Sequence, residues 1–127
     1  MLVGKKTSFQ VQDIHQNRSK RSIDYAIRQV KKSRLSSFVQ KIYVYGSCAR
    51  KEQSYTSDVD LFIEFAPDFD INTYKDELND LRGHVSPTDL ELPEIDLHVT
   101  VGTDWENSSM EYYKNIREEG INIWEGK

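Results

Sequence analysis

The chain has 127 residues, a formal net charge of −4, a single cysteine (Cys48), 37% hydrophobic residues and 30% charged residues. A chain of this length is expected to form one domain with a small core. One cysteine excludes a disulfide framework within the chain, and no Cys/His spacing is typical of structural zinc. No apolar run approaches the roughly 18 residues that span a bilayer, and the N-terminus is too polar for a secretory signal. We therefore expect a soluble, cytoplasmic protein that does not contact a membrane.

Charge is distributed unevenly along the chain. Residues 1–41 carry ten basic and two acidic residues, a balance of +8, whereas residues 42–127 carry seven basic and nineteen acidic residues, a balance of −12. Such asymmetry is typical of an interaction arm, or of a solvated helix face that happens to be basic. The solvated face is favoured because the basic residues are spread out. The sequence does not decide whether an acidic partner or RNA would meet this surface.

In chain order, the sequence first predicts a weakly ordered lead-in over residues 1–16, with a short strand near residues 9–11, and then a single domain over residues 17–127. Apolar residues at helical spacing predict a helix over residues 17–38. A β-branched and aromatic run predicts a strand over residues 41–45. Alternation predicts strands over residues 58–65 and 94–101, with a helix over residues 72–82 between them that Gly83 closes. A helix over residues 108–119, ended by Gly120, and a strand over residues 121–124 follow.

This order of elements, α, β, β, α, β, α, β, predicts a small α/β (α+β) domain. We expect a mixed or antiparallel sheet with the helices packed on one face. On the open face, Tyr43, Tyr45 and Phe62 would form an aromatic patch, which is either packing or a platform for a nucleobase.

Two carboxylates stand at the start of the second predicted strand. Asp58 and Asp60 share one face of that strand, because residues i and i+2 point the same way. Their mutual repulsion would be relieved by a divalent cation, and carboxylate oxygens suit Mg²⁺. The other Asp-x-Asp pair, Asp68 and Asp70, follows Pro67 in a predicted loop, and we interpret it as a solvated turn or a helix start.

The strand over residues 94–101 repeats this pattern. Aligning the apolar faces of the two strands places Asp96 on the same sheet face as Asp58 and Asp60. Three carboxylates on neighbouring strands can hold two metal ions about 3.5–4 Å apart, as in phosphoryl and nucleotidyl transfer. His98 shares this face and is either a site residue or, as the favoured reading, a surface residue.

A glycine and a serine end the strand that precedes this pair. Gly46 lets the backbone approach a phosphate closely, and Ser47 begins a predicted helical turn whose N–H groups would face that phosphate. Arg50, one turn later, can add a cation for a triphosphate.

These residues resemble the nucleotidyltransferase superfamily of DNA polymerase beta, and more closely its minimal nucleotidyltransferases, over about residues 42–124. The pattern is Gly46-Ser47-x-x-Arg50, then Ser57-Asp58-x-Asp60-Leu61, then Asp96 on a later strand. The resemblance implies Mg²⁺-dependent transfer of a nucleoside monophosphate, with AMP favoured, from ATP or another nucleoside triphosphate to a hydroxyl.

The same resemblance assigns roles to the residues. Gly46, Ser47 and Arg50 would bind the nucleotide's phosphates. The catalytic carboxylates that hold the two Mg²⁺ ions would be Asp58, Asp60 and Asp96, and Asp96 would also activate the acceptor hydroxyl.

Many minimal nucleotidyltransferases are antitoxins that adenylylate a HEPN-type RNase toxin. Relatives that modify small molecules or RNA usually carry a further helical domain, for which 127 residues leave no room. The resemblance therefore favours a protein partner. The alternatives are an enzyme that acts on a small, aminoglycoside-like molecule or an RNA end, and a non-catalytic antitoxin that only binds its toxin.

Overall fold

The computed structural model describes residues 8–46, 49–50 and 58–125, with the backbone alone for residues 8–15. The elements that these residues form are α1 (Ser8–Lys32), β1 (Val39–Tyr45), β2 (Val59–Phe65), α2 (Lys75–His84), β3 (Ile95–Val101), α3 (Glu111–Glu119) and β4 (Ile121–Asn122). Short 3₁₀ turns occupy Ser36–Phe38 and Asp104–Asn107. The order of helices and strands is the one that the sequence predicts.

The strands form one mixed sheet in the order β3-β2-β1-β4. β1 pairs antiparallel with β2 and with β4, whereas β2 and β3 are parallel. Parallel neighbours need a crossover, and α2 supplies it. The expected mixed α/β fold class is confirmed. None of the helices in the described ranges is both long and apolar enough to cross a membrane.

The main core lies between one face of the sheet and the helices α1 and α2. Alternate residues of β2 point into it, and Leu61 and Ile63 are almost completely buried. Ala26 and Val30 of α1 and Leu78 of α2 belong to the same cluster. Burial of a large aliphatic side chain contributes roughly 1.5–3 kcal/mol, so this layer supplies most of the fold's apolar stabilisation.

Helix α3 lies on the opposite face of the sheet, which differs from the expectation that the helices share one face. Phe62 and Tyr43 point to this side, where Trp105 packs with ring centroids 5.0 and 5.5 Å from theirs. Ile116 of α3 is buried in the same cluster. The aromatic patch predicted on the open face is therefore packing, because α3 and the 3₁₀ turn cover it.

Several element boundaries also differ from those predicted. The strand expected near residues 9–11 is wrong, because α1 already begins at Ser8 and includes residues 8–16 of the expected lead-in. α1 ends at Lys32 and α2 continues through Gly83 to His84. The division of the chain at residue 16 stays a prediction.

Candidate active site

The ends of three strands lie side by side at one end of the sheet, and this row of strand ends is here called the site edge. β1 ends where β2 begins, because the two are antiparallel, and β3 begins beside β2, because those two are parallel. Tyr45 pairs with Asp60, and Asp60 pairs with Asp96 in the adjacent strand. The predicted carboxylates Asp60 and Asp96 are thus direct register neighbours.

Gly46 follows β1 at the site edge, and both its conformation and its surroundings require glycine. Its φ is +75°, in the left-handed region that side chains disfavour. A Cβ atom on this residue would lie 2.5 Å from Oδ2 of Asp60. The backbone of the predicted phosphate turn therefore lies directly against a predicted metal ligand.

The turn after Gly46 is described in part. The backbone N–H of Arg50 donates to the carbonyl oxygen of Gly46 at 3.1 Å, which closes a helical turn. Ser47, Cys48 and the predicted polar loop over residues 54–57 lie outside the described residues.

Asp60 is the half-buried centre of a charged cluster. Burial raises the pKa of its carboxyl group, and the carboxylates of Asp96 and Asp58 raise that pKa further. His98 and Arg50 lower it. All the sequence-predicted side chains within the described ranges are therefore close enough to act on Asp60, and the structure brings them together at the site edge.

His98 is a direct neighbour of Asp96. Its Nε2 atom lies 3.2 Å from Oδ2 of Asp96, and both side chains are about half exposed. The pair gives the cluster a group that can carry a proton beside a carboxylate.

Helix α3 contributes two residues that the sequence did not predict for the site. Glu119 accepts a hydrogen bond from Arg50 at 2.8 Å. The Tyr112 hydroxyl lies 2.9 Å from that of Tyr45, and its ring centroid lies 5.5 Å from that of His98. Burial raises the pKa of Tyr112, and a smaller part of the rise comes from the Asp60 and Asp96 carboxylates. Their place at the site depends on which sheet face α3 covers, and the periodicity of a helix does not show that.

The donor set fits Mg²⁺ in its chemistry. Asp58, Asp60 and Asp96 present oxygen ligands only, and their mutual repulsion at Asp60 is what a cation would relieve. Within the described ranges, however, no group of three or more His, Cys, Asp or Glu side chains is already arranged to hold a metal ion. Asp58 and Asp96 are exposed, so packing does not fix their side chains as they stand.

The other Asp-x-Asp pair has a structural role. Oδ1 of Asp70 accepts the backbone N–H of Asn72 at 3.0 Å, and its Oδ2 accepts the hydroxyl of Thr73 at 2.8 Å. The Thr73 hydroxyl is the main cause that lowers the pKa of Asp70. The interpretation of residues 68–70 as a solvated turn before a helix agrees with this geometry, and the turn explains why α2 starts only at Lys75.

Comparisons with known proteins agree with the fold. A family model, the nucleotidyltransferase domain, matches residues 26–121, well over half of the chain. A crystal structure from Sulfolobus solfataricus, provisionally described as a nucleotidyltransferase, has a TM-score of 0.59 at 17% identity, over 98% of this chain and 96% of that one. A toxin–antitoxin structure with AMP-PNP has a TM-score of 0.51 at 19% identity, over 82% of this chain and 73% of that one.

A search of curated proteins gives no match. At identities below 20%, the two structures show a shared fold and nothing finer. The family match covers every residue of the site edge and much of the core. The chain belongs to the nucleotidyltransferase domain family.

Proposed function

We propose that this protein is a Mg²⁺-dependent adenylyltransferase that modifies a hydroxyl group on a partner protein, as the cytoplasmic antitoxin of a HEPN-type RNase toxin. The observation that supports the transfer chemistry is the position of Asp60. Its half-buried carboxyl group lies near the carboxylates of Asp96 and Asp58 and directly against the backbone of Gly46. Membership of the nucleotidyltransferase family supports the reaction class.

The residues of the site edge would divide the reaction among them. Asp58, Asp60 and Asp96 would hold two Mg²⁺ ions, which when bound stabilise the negative charge on the phosphates. Gly46 and Ser47 would bind the triphosphate through the turn after β1, because glycine leaves room for a phosphate there.

In the proposed transfer, the acceptor hydroxyl displaces pyrophosphate from the α-phosphorus of the nucleotide. The acceptor oxygen forms a bond to the α-phosphorus, the bond from that phosphorus to the bridging oxygen breaks, and pyrophosphate leaves. The hydroxyl proton would go to the carboxylate of Asp96, which pairs with Asp60 in the adjacent strand. His98, 3.2 Å away, can take this proton onward.

The proposals of a protein acceptor and of an adenine nucleotide are supported by similarity to other proteins. The toxin–antitoxin structure with AMP-PNP shares this fold, and the site residues resemble those of minimal nucleotidyltransferases. Both likenesses favour AMP as the group transferred and a toxin as the partner.

The test is transfer of label from [α-³²P]ATP to a candidate HEPN-type RNase toxin in the presence of Mg²⁺. Asp58→Asn/Asp60→Asn should abolish transfer, whereas Asp68→Asn/Asp70→Asn, which removes the same two charges from the other Asp-x-Asp pair, should retain it. Label that persists in the first variant would refute the assigned site. Label on a small molecule or an RNA end would show that this molecule, and not a protein, is the acceptor. Toxin inhibition without any transfer would indicate an antitoxin that only binds its toxin.

A further inference from the structure

A groove lies on the face of α1 that points away from α2, between this helix and residues 123–125. Its volume is about 510 Å³. The floor consists of Ile23, Ile27 and Ile123, which are half-buried and pack with their inner sides against the main core. These half-buried isoleucines leave apolar atoms at an open groove, which the apolar side chains of a partner can cover.

The helical rim of this groove is basic. Lys20, Arg28 and Lys31 line it, and all three are exposed. At 100° per residue they fall within about 80° of one another around the helix axis, and from Lys20 to Lys31 they extend over about 16 Å. Arg21 and Lys32 continue this basic stripe around the helix.

Few carboxylates within the described ranges neutralise the stripe. Asp24 pairs with Lys20 at 2.9 Å. Arg28 lies over the ring of Tyr25, 5.9 Å from its centroid. In the part of the chain that the structure describes, no carboxylate lies within salt-bridge distance of Arg28 or Lys31. The positive charges of Arg28 and Lys31 are therefore available to pair with acidic residues of a partner.

We propose that this groove binds an amphipathic segment of a partner protein, in which acidic residues flank an apolar stripe. The apolar side would cover the three isoleucines, and the acidic residues would pair with Arg28 and Lys31, as in helix-in-groove recognition. The isoleucine floor disfavours a phosphate backbone, which has no apolar surface to cover it. This inference goes beyond the transfer reaction and does not depend on it.

The test uses an 18-residue fluorescent peptide with leucines at positions i, i+3, i+4 and i+7 and glutamates on both sides of that stripe. Binding is measured by fluorescence anisotropy with the Asp58→Asn/Asp60→Asn protein, so that a failure of docking is separate from a failure of catalysis. Chemical-shift changes should centre on Ile27, Arg28 and Ile123. A peptide of the same composition in scrambled order should bind at least tenfold more weakly.

Charge reversal tests the basic rim. Arg28→Glu/Lys31→Glu should weaken peptide binding at least tenfold, whereas the matched control Lys75→Glu/Arg82→Glu, on exposed positions of α2, should change it less than twofold. Melting temperatures show that both variants are folded. Equal loss in both variants, tighter binding of poly(U) than of the peptide through the same residues, or self-association that Arg28→Glu/Lys31→Glu abolishes would each overturn the proposal.

Discussion

Replacement of Gly46 by alanine perturbs the fold and the candidate site at the same atom. Gly46 has a φ of +75°, and a residue with a Cβ in this region costs roughly 1–2 kcal/mol. The new Cβ would also lie 2.5 Å from Oδ2 of Asp60, closer than real Cβ contacts come. Either the turn or the carboxylate must move, so Gly46→Ala should disturb the cluster around Asp60.

Gly102→Ala is the matched control for backbone strain. Gly102 has a φ of +77°, and among the described atoms none lies within 4 Å of the Cβ it would gain. Both variants should lose roughly 1–2 kcal/mol of unfolding free energy, which for a domain of this size lowers the melting temperature by about 3–10 °C. Only Gly46→Ala should also weaken Mg²⁺-dependent binding of AMP-PNP by about tenfold, or ~1.4 kcal/mol.

Urea unfolding measures the first effect, and calorimetric titration of each variant with AMP-PNP and Mg²⁺ measures the second. The difference between the two glycines isolates the contact with Asp60 from the strain in φ. Equal nucleotide affinities for Gly46→Ala and Gly102→Ala would refute the reasoning, because the carboxylate would then tolerate the added atom.

Other perturbations address the neighbouring groups. Because burial and nearby carboxylates raise the pKa of Asp60, the folded state holds its proton more tightly than the unfolded state, and the contribution of Asp60 to stability is lost as the pH rises through the raised pKa. Asp60→Asn should flatten this dependence in urea unfolding, and Mg²⁺ should lower the pKa in an NMR titration of the carboxyl carbon. Trp105→Phe should cost roughly 1–3 kcal/mol, since buried Glu64 loses its 2.8 Å indole donor, and a change below about 0.3 kcal/mol would contradict this. A double-mutant cycle of Tyr45→Phe and Tyr112→Phe should show a coupling of about 1 kcal/mol for the hydroxyl contact.

Strand patterns made the carboxylates of the site predictable. The period of two in a strand is set by backbone geometry, so the face of Asp60 and of Asp96 follows from the alternation of their apolar neighbours. The structure confirms that these two residues are neighbours across β2 and β3. Their catalytic roles stay predictions, because a role depends on ligands and not on register.

The start of α1 was less predictable. The sequence has no glycine or proline between residues 5 and 45, so nothing stops a helix from extending toward the N-terminus. Residues 8–16 lack a clear apolar period, which is typical of a weakly ordered lead-in. Absence of a helix breaker was the better signal here.

The placement of α3 could not be predicted from its periodicity. An amphipathic pattern shows that a helix has a buried side, but it does not show which face of the sheet covers that side. In this fold both faces of β2 are apolar near the centre, and the aromatic face with Phe62 takes α3. This placement is also what brings Glu119 to Arg50.

The ion pair between Arg50 and Glu119 leads to a prediction about nucleotide binding. If Arg50 binds the triphosphate, the phosphates compete with Glu119 for its guanidinium group, and an exposed pair of this kind is worth about 0.2–1 kcal/mol. Glu119→Gln should therefore tighten AMP-PNP binding by up to about fivefold, whereas Glu118→Gln, on the exposed neighbouring residue, should leave it unchanged. Calorimetric titration distinguishes the two. Weaker binding by Glu119→Gln would show instead that Glu119 positions Arg50 for the nucleotide, since the loss of a competitor cannot lower affinity.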